Sequence, residues 1–209
     1  MVLIANGVPG DKFRINSDLE IKILSPSSEE ERDFINANFN VQGYKSAKSP
    51  RANLLSAVLL LLFKGDYALL TSDVEIKSLK RIDSLIEKLT AGRRLLIGQS
   101  PLHGSDKNHS TVFWRNRNKI ENVRIVISCD SNSQLHPGRR VLKDFPKLNY
   151  ILNSTNIPKL VKEKNQSSAS LDLFSRVTDT LGSNGPGDQV FSLEKIISSN
   201  LVTCLLTTL

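Results

Sequence analysis

The chain reads as an α/β domain in which helices cover a mixed sheet, and three observations carry that expectation. Two apolar runs, residues 55–64 and 67–71, are separated only by Gly65-Asp66, as in a tightly turned strand pair. Past Asp73 the apolar period changes from two to between three and four, which marks an amphipathic helix. Short apolar runs then alternate with helical patterns as far as about residue 153. Alternation of that kind builds layers of helix on sheet.

Taken in order, residues 11–24 alternate apolar and polar around Asn16-Ser17-Asp18, which predicts a half-buried hairpin ended by Ser25-Pro26-Ser27-Ser28. Residues 29–53 are polar and predict a surface excursion with at most a short helix near Glu29–Asn36. The strand pair at 55–71 follows. Over 74–89, Val74, Ile76, Leu79, Ile82, Leu85, Ile86 and Leu89 form one apolar stripe. Ser72 with Glu75 has capping-box spacing at its start, and Gly92 closes its end. Arg94–Gly98 predicts a short buried strand, residues 109–117 a short helix, and Val123–Ser128 another strand. His136-Pro137 opens a helix to about Phe145 with proline in its first turn, and 148–153 is the last strand.

Beyond about Lys159 the composition becomes linker-like, with a helix-like stretch at 170–181 and an apolar tail. The division expected is a layered domain over 1–155 and a linker with an appendage over 156–209. At 39% hydrophobic and 23% charged residues the chain is globular rather than disordered. Cys129 and Cys204 sit in no motif, which speaks against a disulfide framework or a zinc ribbon and for a reducing compartment. The apolar run Leu54–Phe63 is shorter than the roughly 20 residues a bilayer requires, and no signal pattern opens the chain. A cytoplasmic protein without a membrane partner is expected. The net charge of +7 permits an anionic partner such as nucleic acid. The basic residues are scattered, however, and a solvated surface accounts for them equally well.

Three polar residues follow three successive strands: Asp73, His103 and His136. In layered α/β folds, strand ends and the loops beyond them are where sites form. A carboxylate with imidazoles suits a divalent metal such as zinc. Each also has a plain explanation. Asp73 gains from a helix dipole, His103 precedes a loop glycine, and His136 starts a helix.

The segments Asn53-Leu-Leu-Ser-Ala-Val-Leu-Leu60, Leu69-Leu-Thr-Ser-Asp73, Pro101-Leu-His-Gly-Ser105, Val126-Ile-Ser128 and His136-Pro137 occur in an order that resembles the C-terminal half of a metallo-β-lactamase-fold hydrolase. The subgroup most similar is the hydrolase domain of DNA-internalisation competence proteins and their stand-alone relatives. The resemblance spans residues 10–155 and implies a partial metallo-β-lactamase-like layered fold. It also implies that Asp73 matches the acid bridging two metal ions and that His103 lies in the later metal-binding histidine segment. His136 and Ser105 would flank the active site, with zinc or manganese as cofactor and phosphodiesters or other esters as substrates.

The family's His-x-His-x-Asp-His motif has no counterpart, since His103, His109 and His136 are the only histidines. Ser72 stands where the family has glycine, and Leu102 replaces one histidine of a pair. The expected function is therefore a truncated or degenerate hydrolase that is inactive as this chain alone. The alternative is a non-catalytic module that pairs with another chain or with a second copy, or that binds nucleic acid.

Overall fold

A computed structural model describes residues 12–38, 52–117, 120, 123–129, 136–154, 189–192 and 203–206 of the protein. The run Val58-Leu-Leu-Leu-Leu-Phe63 has no polar face, so as strand β3 (Val58–Phe63) it must find apolar company on both sides of a sheet. Val58, Leu60 and Leu62 are buried, whereas Leu59, Leu61 and Phe63 stay partly exposed. Around β3 a seven-stranded mixed sheet forms from β1 (Lys12–Arg14), β2 (Leu19–Ser25), β3, β4 (Asp66–Leu70), β5 (Arg94–Gln99), β6 (Arg124–Ile127) and β7 (Ile151–Ser154). Spatial order equals chain order. The first four strands pair antiparallel and the last four parallel, so β4 is the seam.

Parallel neighbours need crossovers, and these are helices α2 (Ile76–Leu89), α3 (Thr111–Arg115) and α4 (Arg139–Lys147). All three send apolar side chains to the same side of the sheet. Leu79, Ile82, Ile86, Phe113, Trp114, Val141 and Phe145 form one core with Leu60, Leu69, Leu95 and Ile125. Trp114 is fully buried and meets Phe145 edge-on at 5.4 Å, while the Tyr150 hydroxyl donates to the Trp114 carbonyl at 2.6 Å. A further antiparallel pair, β8 (Gln189–Ser192) and β9 (Thr203–Leu206), forms a separate sheet. The stretch 170–181 lies outside the described residues.

The expected order of strands and helices is found, with three local corrections. Helix α1 (Ser28–Asn38) is longer than the short helix expected near 29–36, because buried Glu30 ties it to α2 through Arg81 at 2.8 Å. The capping box of Ser72 and Glu75 does not form. Glu75 is the N-cap without a side-chain hydrogen bond, and Asn108 Oδ1 accepts from Ile76 N–H at 3.1 Å instead. Helix α4 starts at Arg139 with Gly138 as N-cap, which leaves Pro137 outside its first turn.

Opposite the helices, the second sheet face is apolar. Ile21, Ile23, Leu59, Leu61, Phe63, Ala68, Leu70 and Leu96 are partly exposed on it, and Ile97 packs with Val126. Among the described residues no helix covers this face.

Candidate functional site

The loops beyond β4, β5 and β6 meet at one end of the parallel half of the sheet. Thr71 and Gln99 tie the first two strand ends together: Gln99 Oε1 accepts from the N–H of Thr71 at 3.0 Å and of Ser72 at 2.9 Å, and Thr71 Oγ1 donates to the Gln99 carbonyl at 2.7 Å. Leu102 N–H then donates to the Ser72 carbonyl at 3.0 Å. These bonds set Asp73 and His103 side by side, with His103 Nε2 3.5 Å from Asp73 Oδ1 and both side chains about half exposed.

The backbone there is unusual. Ser72, Leu102 and His103 take positive φ (48°, 46° and 53°), and Gly104 follows at 76°. Left-handed backbone at residues bearing a Cβ is costly and gathers where surrounding structure over-determines it. Here the determinant is a clasp between two loops. Gly138 N–H donates to the Gly104 carbonyl at 2.8 Å, and Asp106 Oδ1 accepts from Val141 N–H at 3.1 Å. A Cβ on Gly104 would lie 2.9 Å from Pro137 Cβ, so the close approach of the two loops requires glycine.

The clasp brings His136 to the same rim. Burial pulls its imidazole below the ordinary histidine range, nearby His103 adds to this, and Asp106 and Asp73 act against it. The second expected flank residue, Ser105, is buried at 4% exposure; its N–H donates to the Leu102 carbonyl, so it shapes the loop rather than facing outward.

The orientation of His103 follows from its partner. Nδ1 lies 2.8 Å from the Ser128 carbonyl, which can only accept, so Nδ1 carries the proton. Nε2 is then a lone pair in the neutral ring and faces a carboxylate oxygen. Two electron-rich atoms in that relation are reconciled by a proton on Nε2 or by a cation between them. An imidazole held by a backbone carbonyl through one nitrogen, with the other aimed at a shared site, is the usual arrangement of a histidine metal ligand.

The donor set is nevertheless short. Among the described residues no three His, Cys, Asp or Glu side chains gather as a metal ion would require. Asp73 and His103 supply two ligands, and a zinc or manganese ion held at equilibrium wants at least three. Among the described residues this donor set does not fit a resident metal, and no hydrolytic step is derived through one.

Behind these groups lies His109, a residue the sequence does not mark as part of the site. It is 1% exposed, its Nε2 lies 3.3 Å from Asp144 Oδ2, and its ring meets Phe145 edge-on at 5.0 Å. Thr111 Oγ1 donates to the same Asp144 oxygen at 2.7 Å. This cluster pins the loop after β5 to α4 and so supports the rim from behind. No sequence motif links residues 109 and 111 to residue 144, so pattern alone gave no signal.

Comparison of the chain with family models, with curated proteins and with solved structures gave no match.

Proposed function

We propose that the sheet and its rim form the C-terminal half of a metallo-β-lactamase-like hydrolase, truncated or degenerate in its metal centre and inactive on phosphodiesters or other esters as this chain alone. The observation that carries this reading is the meeting of Asp73 and His103 at 3.5 Å past adjacent parallel strands, with His103 fixed by the Ser128 carbonyl. Support also comes from the strained backbone. Ser72, which stands where the family has glycine, adopts a φ of 48° that glycine would hold without strain. In a complete site of this class a metal ion supplies hydroxide as nucleophile. The part played by this chain is to hold an acid and an imidazole on one rim and to exclude water beneath them with its core.

The test is to load purified protein with zinc or manganese, dialyse it, and measure retained metal and hydrolysis of bis(p-nitrophenyl) phosphate. Substoichiometric metal and no turnover are expected. Retention of two metal ions per chain, with turnover abolished by Asp73→Ala, would show a working enzyme and overturn the reading.

A second reading, a non-catalytic module that associates through its sheet, is favoured by the apolar second face. Contiguous apolar side chains left partly exposed on a sheet face favour association. Sedimentation should then show a dimer or complex, and a hydrophobic dye should bind the dissociated chain. A stable monomer that binds no dye would exclude it.

A further inference from the structure

At the opposite end of the sheet from the rim, a groove of about 430 Å³ opens between the β1–β2 turn, the β3–β4 turn and the C-terminal end of α2. The hairpins converge there because Leu19 pairs with Phe63 and Asp66 with Arg94, which brings the turns to one pole. Lys64 N–H donates to the Asp18 carbonyl at 3.3 Å, joining the two turns directly. About 15 Å of strand, the length of β4, separates this groove from Asp73.

The lining is cationic. Arg14, Lys22, Lys64, Lys88 and Arg93 line it, against the two carboxylates of Asp18 and Glu20. Those carboxylates are already engaged: Glu20 with Lys22 at 2.7 Å and Arg14 at 3.9 Å, Asp18 with Lys64 at 3.6 Å. Among the described residues Lys88 and Arg93 have no carboxylate within 4.0 Å. The Arg93 guanidinium donates to the Lys64 carbonyl, which fixes one cation across the groove mouth. Lys88 in the last turn of α2 also complements the helix dipole, but that does not explain the cations facing it from two separate hairpins.

The geometry points to this groove as a binding site for the phosphate backbone of a nucleic-acid strand. Its excess of positive charge is spread over three elements rather than focused on one point, as an extended chain of phosphates requires. Its apolar floor is leucine (Leu19, Leu62 and Leu89), with no aromatic ring on which a base could stack. Recognition is therefore of the backbone and indifferent to sequence. The site is separate from the rim and does not depend on the hydrolase reading.

The test is fluorescence anisotropy of a labelled single-stranded 20-mer against the full chain over a salt series. Charge reversal at Lys88→Glu with Arg93→Glu is expected to weaken binding by at least about tenfold. It should also flatten the slope of log affinity against log salt by about 1.4, the value for two lost phosphate contacts. Because Arg93 also holds the turn, Arg14→Glu with Lys88→Glu is measured alongside and should weaken binding similarly. Asp73→Ala should bind like the parent, so that failure of the rim reading leaves this result standing. Affinity equal to the parent's in both charge-reversal pairs, whether or not Arg139→Glu/Arg140→Glu weakens binding, or no binding by the parent at low salt, would overturn the site. Displacement of the oligonucleotide by adenosine monophosphate at equal phosphate concentration would overturn the extended-strand reading.

Discussion

Ser72 holds its left-handed backbone because its N–H and carbonyl are both engaged, by Gln99 Oε1 and Leu102 N–H. The conformation costs a residue with a Cβ about 1 kcal/mol, and glycine avoids most of it. Ser72→Gly is expected to raise stability by about 0.5–1 kcal/mol in denaturant unfolding. A destabilised variant would show that the serine side chain, not the strained backbone, governs this position. His109 makes a different prediction. Burial holds its imidazole below the ordinary value of 6.5, although Asp144 pulls the other way. The unfolded chain takes up a proton near that value while the folded chain resists it. Stability therefore falls as pH drops below about 6.5 and is insensitive to this residue above it. Thermal midpoints should decline from pH 7 to 5.5, and His109→Gln should remove part of that slope. Identical slopes in parent and variant would count against a buried neutral imidazole.

Helix α1 depends on one carboxylate. Glu30 Oε2 accepts from Ser27 N–H at 2.7 Å, from Arg81 Nη2 at 2.8 Å and from Ser25 Oγ at 3.1 Å. Burial pushes Glu30 up, but hydrogen bonds from Ser78, Ser27 and Arg81 outweigh it and leave the carboxyl below its usual 4.5. The anchor is thus fully present above that value and is lost as pH falls through the depressed one. Glu30→Gln is expected to cost about 2 kcal/mol at neutral pH by denaturant unfolding, and a neutral effect would mean that α1 is held by something else. Strand β5 has a comparable pressure point at Gly98, where a Cβ would stand 2.7 Å from Trp114 Cζ3 and 2.8 Å from Ile125 Cδ1. Gly98→Ala should cost about 1–3 kcal/mol by overpacking.

These elements show what a sequence can and cannot reveal. The strands and α2 were legible because burial imposes a period that residues must obey. The full length of helix α1 is not legible in the sequence, because its apolar stripe is weak and its anchor, Arg81, is 51 residues away. The cap of α2 is hidden for the same reason, since Asn108 displaces the local box from 32 residues on. At the rim, Asp73, His103 and His136 were legible as strand-end polar residues. The tautomer of His103 and the supporting His109–Asp144 pair were not, because both depend on contacts that only folding creates.

At the scale of the whole molecule, all the described helices of the crossovers lie on one side of the sheet and the other side remains apolar. Leu61→Lys, on that second face, is expected to weaken self-association or partner capture in sedimentation while changing stability by less than about 1 kcal/mol. An unchanged sedimentation profile of an associating parent would place the interface elsewhere. No helix among the described residues is long and apolar enough to cross a membrane. In the proposed reading the rim is half of a metal site, with His103 Nε2 presented beside Asp73. With only three histidines in the chain, nitrogen-15 labelling of the imidazoles resolves them individually. His103 is expected as the Nδ1-protonated tautomer, because the Ser128 carbonyl can only accept. Zinc titration is expected to show only weak binding that moves His103 Nε2 first and fails in Asp73→Ala. A proton on Nε2 in the neutral ring, or zinc shifts that leave His103 still and persist without Asp73, would contradict the reading.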